Sequence, residues 1–415
     1  MTTRRSFLAR LPAVAIVGSA ALRARAAFAA ADKQVTVGIA MPFTGSDAEQ
    51  ATLMKEGAMM ALDEANAQGG VAGYKIEALV LDNGTVTAGQ YDPAQAAVNA
   101  RKMVSDSSVV AAVGPQNSGC GKAMSPILSQ GSLATITPSS TNPDITDPKF
   151  AAQFRPAGKA VYFRTVTTDA YQGPDMANYF AQKLGVKKVY ILDDTGAYGV
   201  GIANTFEAQA KKNGITVLGH DQVTPQEADY MTSLTKIKGV APDALYYGGS
   251  SLAGIKIVKQ SYEVLPKIIK GGGDGVYGAS LVKGAGYPAI EGWYATIAAP
   301  FLAENPDVAP WLKRYEAKYG HGPVSYSFTA YDAMLVVLDS IKRVAESGKP
   351  VTRDAVRDAI QSANVKTLQG TISFDENGDI KDRTVSVFRY TYNDKYPVDN
   401  VLHQYKYLGV APPTA

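Results

Sequence analysis

The sequence VVAAVGPQNSG at residues 109–119, together with LATITPSSTNP at residues 133–143, decides the fold of this chain. Each stretch begins with a short apolar run that predicts a buried parallel strand, and it ends in residues rich in hydroxyl and free backbone N–H groups. Loops at the carboxyl ends of parallel strands are where open α/β sheets bind ligands, and each loop is expected to run into a helix whose N-terminus favours an anion. The two loops therefore predict a carboxylate site, although Ser, Thr, Gly and Pro are also the usual turn and N-cap residues of any βα unit.

The first thirty residues have the order of an export signal. The sequence RRSFL at residues 4–8 precedes an apolar segment at residues 11–22, and AFA at residues 27–29 offers a cleavage site. The paired arginines are typical of the twin-arginine type, and the apolar segment is too short for a stable membrane anchor. We therefore expect residues 1–29 to be a signal peptide and the mature chain to be a soluble protein of the periplasm.

The mature part of the chain carries little net charge. Residues 1–29 contain five of the 41 basic residues and none of the 38 acidic ones, which leaves 36 basic residues and a formal charge of about −2. No basic stripe with interleaved aromatic residues remains, which argues against nucleic acid as a partner. Cys120 is the only cysteine, so stability has to come from the hydrophobic core. The length and the 46% hydrophobic composition suffice for two domains.

Apolar, β-branched runs alternate with helical patterns along the mature chain. Strands are predicted in a first series at residues 35–40, 76–81, 109–113 and 133–136, and in a second series at residues 189–192, 216–218, 244–247 and 267–270. Helices are predicted at residues 48–67, 93–105, 122–129, 173–184, 201–212 and 229–237, and the region 306–363 is mainly helical. Two successive βα series predict an α/β protein with two doubly wound parallel-sheet units.

The residues offer little for catalysis or for binding a metal. His220, His321 and His403 are far apart, and none lies in a spacing typical of zinc or of a catalytic base. Cys120 lies near the predicted ligand loop, but without a paired histidine we interpret it as a small packing residue rather than a nucleophile. We expect a binding protein without a cofactor or metal, and an exported hydrolase stays open as the enzymatic alternative.

Two acidic residues are candidates for the other side of a ligand. Asp169 follows the predicted first crossing between the two units, and Asp274 follows a strand of the second series. An anion site on one unit that faces carboxylates on the other matches the two ends of a zwitterion. Taken alone, however, each acid is more often a surface or capping residue. Tyr198 adds an aromatic wall to the site or packs in the core.

In the order and spacing of several short motifs, the mature chain resembles the substrate-binding proteins of branched-chain amino acid ABC transporters. The motifs are GGVAG at 69–73, Gly114 with Ser118, TPSSTNP at 137–143, FRT at 163–165, QGP at 172–174, YG at 198–199, YYGG at 246–249, and FD at 374–375 with GD at 378–379. The resemblance implies a type I periplasmic binding protein fold, in which two lobes joined by a three-stranded hinge close on a ligand. It implies lobe 1 at residues 32–168 plus 298–385 and lobe 2 at residues 169–297 plus 386–415.

The same resemblance implies how a ligand is held. Eight positions match ligand-binding positions of the family: Ser118, Ser139, Ser140, Thr141, Asp169, Tyr198, Ser250 and Asp274. Ser118 and the backbone and hydroxyl groups around Ser139 and Thr141 are expected to hold a carboxylate. Thr141, Asp169 and Asp274 are expected to hold an ammonium group. Tyr198 and Ser250 are expected to border the ligand side chain.

The resemblance implies an extracytoplasmic binding protein of an ABC importer. It captures a branched-chain or other aliphatic amino acid by hinge closure and delivers it, as a monomer, to membrane permease subunits. Branched-chain binders often have Glu at the position of Asp274, so ammonium recognition is expected to be retained with altered geometry. An aromatic residue can occur at the position of Ser250, and the pair Ser139 and Ser140 is more polar than an alanine pair, so the pocket is expected to be larger or more polar than one for leucine. Two alternatives stay open: a ligand that is an amide, urea or an aromatic acid, and a role as ligand sensor for a membrane receptor.

Overall fold

The computed structural model describes residues 33–414, which form two large β-sheets flanked by helices and two small two-stranded sheets. The predicted signal peptide at residues 1–29 lies outside the described residues. Within residues 33–414, no helix combines the length and the apolar character that a membrane crossing requires.

The first sheet is made of parallel strands. They are β1 (Gln34–Met41), β2 (Lys75–Asp82), β5 (Val109–Val113), β6 (Thr135–Thr137) and β7 (Tyr162–Arg164), and a small antiparallel ribbon of β3 (Gly84–Thr85) and β4 (Gln90–Tyr91) follows β2. Their spatial order is β2-β1-β5-β6-β7. Every residue of β5 is buried, as expected of an apolar run covered on both faces of a sheet.

The second sheet contains parallel strands and an antiparallel edge. Its strands are β8 (Lys188–Asp193), β9 (Thr216–Gln222), β10 (Ala244–Gly248), β11 (Ile269–Gly272), β12 (Tyr294–Ile297), β15 (Ser386–Tyr390) and β16 (Tyr405–Val410), in the order β16-β15-β12-β11-β10-β8-β9. The last two strands of the chain pair in antiparallel fashion, β15 with β12 and β16 with β15. A separate hairpin pairs β13 (Val365–Thr367) with β14 (Gly370–Ile372). The predicted α/β architecture with two parallel-sheet units is confirmed.

Helices cover the faces of both sheets. They are α1 (Ala48–Ala67), α2 (Pro93–Ser105), α3 (Ser118–Gln130), α4 (Ala151–Phe154), α5 (Asp169–Gln182), α6 (Ala197–Lys212), α7 (Met231–Gly239), α8 (Ser251–Val264), α9 (Ala279–Ala285), α10 (Ala309–Tyr319), α11 (Ser325–Glu346), α12 (Arg353–Gln361) and α13 (Val401–Gln404).

Helices α3, α5 and α6 begin four residues earlier than predicted. Glycine and proline residues near the observed starts have low helix propensity, so the sequence predicted a later start for each helix. Packing reverses that preference. A Cβ on Gly173 of α5 would lie 2.2 Å from the Thr205 Oγ1 atom of α6, so the glycine lets the two helices approach closely. The earlier starts place Ser118, Asp169 and Tyr198 in the first turns of their helices.

The later helices return to the first sheet, so the chain passes between the sheets three times. Helix α11 lies along α1, where the Ser327 hydroxyl donates to the Leu53 carbonyl (2.8 Å). The passages near residues 165–168, 298–300 and 381–386 lie side by side. The Thr167 N–H donates to the Ala298 carbonyl (2.8 Å), and Ile297 pairs with Ser386. The exact lobe boundaries given above stay a prediction.

Candidate functional site

A cavity lies between the two sheet units, at the carboxyl ends of their central strands. Strand β1 lies between β2 and β5, and β8 lies between β9 and β10. Such reversals of strand order open the crevice in which doubly wound sheets bind ligands. The cavity is lined by Asp47, Gln50, Tyr91, Gln116, Asn117, Ser118, Ser139, Tyr198, Ser250, Ser251, Asp274, Gly275 and Tyr326.

Five of the eight predicted site residues line this cavity: Ser118, Ser139, Tyr198, Ser250 and Asp274. The other three, Ser140, Thr141 and Asp169, do not line it and are buried in the elements around it. The structure thus gathers residues from both units at one place, while their roles toward a ligand stay predictions.

A sharp turn at Gly114 carries the chain from β5 to α3. Its φ of +120° is in a region that favours glycine, and a Cβ there would lie 2.4 Å from the carbonyl oxygen of Ala40 in β1. The turn leads to Ser118 as the first residue of α3, where a helix N-terminus favours an anion. The expectation that the second loop also enters an α-helix is wrong. That loop continues into a short 3₁₀ turn, Pro143–Ile145, and a second proline follows close behind at Pro148.

Hydrogen bonds tie the two hydroxyl-rich loops together around Ser118. The Ser140 hydroxyl (3.3 Å) and the Asn142 N–H (3.2 Å) both donate to the Ser118 Oγ atom. The Thr137 Oγ1 atom accepts from the Ser140 N–H (2.9 Å), and the Ser139 hydroxyl donates to the backbone carbonyl of the neighbouring loop (3.0 Å). The Ser118 hydroxyl therefore keeps its own proton for an acceptor in the cavity.

Arg164 holds the second loop in place from behind. Its side chain is fully buried, and the guanidinium donates to the carbonyls of Ser140 (2.5 Å) and Asn142 (2.7 Å). It also forms an ion pair with Asp379 (2.7 Å). Because Asp379 pairs with it, we interpret Arg164 as a support for the loop rather than as a ligand contact.

Asp274 and Asp169 place two buried carboxyl groups at the site. Asp274 accepts hydrogen bonds from the Gln172 side chain (3.0 Å) and from the Tyr326 hydroxyl (2.7 Å), and burial raises its pKa. Neither carboxylate oxygen of Asp169 has a hydrogen-bond partner within residues 33–414, and the same holds for the Thr141 hydroxyl. Burial and the nearby charge of Asp274 raise the pKa of Asp169 well above its usual range. Since a buried carboxylate without a counter-charge is costly, a cation placed here would be favoured.

Tyr198 and Ser250 come from the loops of the second sheet. The Tyr198 hydroxyl accepts from the Gly275 N–H (3.0 Å), which joins the β8 and β11 loops. The Ser250 N–H donates to a carboxylate oxygen of Asp194 (2.8 Å). The Tyr198 side chain and the Ser250 backbone are therefore both held by hydrogen bonds within their own unit.

Several lining residues escaped the sequence analysis. Asp47 and Gln50 follow β1 and so obey the same strand-end rule that identified Ser118, which means that the rule would have found them. Tyr326 stands in the first turn of α11, in a region analysed only as helical. Gln172, in the QGP motif at 172–174, does not line the cavity but donates to Asp274, a contact that the sequence does not predict. The partnership of Tyr326 and Gln172 with Asp274 exists only in the folded chain.

The two units contact each other on both sides of the cavity. The Asn142 side-chain amide donates to the carbonyl of Ala197 (2.7 Å). On the other side, Lys283 pairs with Glu49 (2.5 Å). Together with the hydrogen bond from Tyr326 to Asp274, these contacts hold the units in a closed arrangement.

Comparison with known proteins gives consistent matches. A family model described as periplasmic binding protein matches residues 34–395. The chain is 29% identical over 381 residues to Leu/Ile/Val-binding protein homolog 3 of Brucella melitensis, covering 90% of this chain and 96% of that one. Among solved structures, a leucine binding protein LivK from Thermotoga maritima has a TM-score of 0.77 at 25% identity, covering 91% of this chain and 98% of that one. The branched-chain amino acid transporter substrate binding protein LivJ from Streptococcus pneumoniae, in complex with isoleucine, has a TM-score of 0.76 at 25% identity, covering 92% of this chain and 100% of that one.

Proposed function

The chain belongs to the periplasmic binding protein family, and we propose that it captures an α-amino acid in the cavity between its two units and delivers it to a membrane transporter. The observation that carries this proposal is the pair of opposed walls. We call Ser118 and Ser139 of the first sheet unit, with the N-terminus of α3, the donor wall. We call Asp274, which lines the cavity, and Asp169, which is buried behind it, the acidic wall.

The donor wall suits the carboxylate of an amino acid. The Ser118 hydroxyl has its proton free, and the N-terminus of α3 adds a favourable field for negative charge. Ser139 lines the cavity beside it. Hydrogen bonds to a charged group are shorter and stronger than those between neutral groups, so a few donors suffice to hold a carboxylate.

The acidic wall suits the ammonium group. Asp274 lines the cavity, and Asp169 lies buried nearby without a partner of its own among the described residues. An ammonium group supplies the missing positive charge and three N–H donors. The Thr141 hydroxyl, also without a partner within residues 33–414, is a further acceptor for these donors.

Closure of the two units around the ligand would complete the site. The three adjacent passages between the sheets are suited to act as a hinge, because few residues connect two otherwise separate units. Under this proposal, residues 1–29 direct export to the periplasm, and the closed monomer docks on permease subunits of an ABC importer. Capture and release require no catalytic residue.

The names of the relatives, a Leu/Ile/Val-binding protein homolog and a protein in complex with isoleucine, support an α-amino acid as the ligand. The two carboxyl groups favour a ligand with a cationic group over urea, a simple amide or an aromatic acid. No observation in the cavity favours a role as a receptor's sensor.

A thermal-shift screen of residues 30–415 tests the proposal. The panel contains the L-amino acids, urea, acetamide and benzoate. A ligand at a hundred times its dissociation constant stabilises the folded state by about 2.7 kcal/mol, which raises the melting temperature measurably. We expect a shift with at least one L-amino acid. Shifts with urea, acetamide or benzoate alone would contradict the roles given to Asp169 and Asp274.

A further inference from the structure

Part of the cavity wall consists of hydrogen-bond acceptors that have too few donors. We call Asp47, Gln116 and Asn117 the acceptor wall; all three line the cavity. The Gln116 residue is only 8% exposed, and its side-chain oxygen has no hydrogen-bond partner within residues 33–414. The side-chain oxygen of Asn117 is likewise buried without a partner. A ligand that donates hydrogen bonds would satisfy these oxygens.

Asp47 adds a negative charge to this wall. Its carboxylate accepts a hydrogen bond from the Asn117 side chain (3.2 Å), and no Lys, Arg or His is among the described residues that shift its pKa. Asp194 of the second sheet unit lies close by, held by the N–H groups of Ser250 (2.8 Å) and Gly196 (3.0 Å). Burial raises the pKa of Asp47 to about 6, and the charge of Asp194 contributes to that rise. The carboxyl group of Asp47 is therefore affected by an acidic residue of the other unit.

Within residues 33–414, no positively charged side chain lines the cavity to balance this charge. Among the lining residues of the described chain there is no Lys, Arg or His, and there is no Leu, Ile, Val or Met. In the described part of the chain, the rings of Tyr91, Tyr198 and Tyr326 are the only large apolar surfaces that line the cavity. An aliphatic ligand side chain would therefore bury its carbon atoms against unpaired polar groups, which is unfavourable.

We propose that the acceptor wall binds a positively charged, hydrogen-bond-donating group at the end of the ligand's side chain, so that the ligand is a basic amino acid. This inference rests on the proposed function and concerns only the side-chain class. The α-carboxylate and α-ammonium groups keep the partners named above. A primary ammonium group supplies donors to the oxygens of Gln116 and Asn117 and a counter-charge to Asp47.

Calorimetric titration with matched pairs of ligands tests the inference. Lysine and norleucine share a carbon chain and differ by the terminal amino group, and so do ornithine and norvaline. We expect the charged member of at least one pair to bind tighter by on the order of tenfold or more. In Asp47→Asn this preference falls to about one. Asp394→Asn, the same change at an exposed position, keeps it.

The outcomes separate this inference from the proposed function. If norleucine or leucine binds as tightly as lysine and ornithine, the inference of a basic ligand side chain is wrong, while the proposed capture of an amino acid still holds. A preference for lysine that persists unchanged in Asp47→Asn would overturn the assignment to the acceptor wall. Failure of every α-amino acid to bind would refute the proposed function, and this inference with it.

Discussion

Replacing Asp274 with asparagine should weaken amino-acid binding strongly without destabilising the ligand-free protein. Asparagine has the same shape, and its amide group can accept from Gln172 and donate to the hydroxyl oxygen of Tyr326, the two partners of the carboxylate. What it removes is the negative charge opposite the ligand ammonium. Because burial raises the pKa of Asp274, a neutral side chain is at least as well accommodated there when no ligand is bound.

The expected loss of affinity follows from the burial of the pair. Removing one partner of a buried, hydrogen-bonded charge pair costs about 2–5 kcal/mol. This corresponds to roughly a thirtyfold to a few thousandfold increase in the dissociation constant.

Isothermal titration calorimetry measures the affinity, and thermal unfolding without ligand measures the stability. Asp394→Asn serves as the control for loss of a negative charge at an exposed position. Wild-type affinity in Asp274→Asn would refute the ammonium assignment. A large fall in the unfolding temperature of the ligand-free variant would refute the stability argument instead.

Three further predictions concern the loops and the buried acids. Arg164→Met should lower the unfolding free energy by about 3–5 kcal/mol in urea denaturation, because it leaves buried acceptors unpaired; an unchanged midpoint would contradict this. Gly114→Ala should destabilise by about 1–3 kcal/mol in the same assay and weaken ligand binding, since the new Cβ would meet the Ala40 carbonyl; wild-type behaviour in both would contradict the proposed close approach. Burial raises the pKa of Asp47 and of Asp194 to about 6, so between the ordinary value of 3.8 and 6 the folded state binds more protons than the unfolded state. The melting temperature without ligand should therefore rise as the pH falls from about 7 to about 5, less so in the two Asp→Asn variants, and a flat profile would count against this linkage.

The strands and the position of the site followed well from the sequence. The apolar run Val109–Val113 is buried on both faces, and this environment is what a continuous hydrophobic run predicts. The rule that ligands bind at the carboxyl ends of parallel strands placed Ser118 and Ser139 correctly at the cavity. Asp274 was a candidate from its place after a strand, and the family resemblance indicated the same residue.

The remaining features depend on tertiary contacts. The helix containing Gly173 begins at Asp169 because close packing against the next helix outweighs the low helix propensity of glycine. Tyr326 reaches Asp274 across 52 residues of sequence, from a helix of the other unit. The antiparallel strand Ser386–Tyr390 adds to the second sheet only because the chain has crossed back between the units. Local periodicity contains no information about such contacts.

The most direct test of zwitterion capture is a calorimetric titration of residues 30–415. The ligands are an amino acid that the protein binds and the two derivatives of it in which one end is blocked. The N-acetyl derivative removes the positive charge, and the amide of the carboxyl group removes the negative charge. We expect each block to weaken binding by at least roughly a hundredfold, since each leaves buried charged or polar groups without a partner. Binding of either derivative at the affinity of the free amino acid would contradict the proposal that an anion site and a cation site face each other in the cavity.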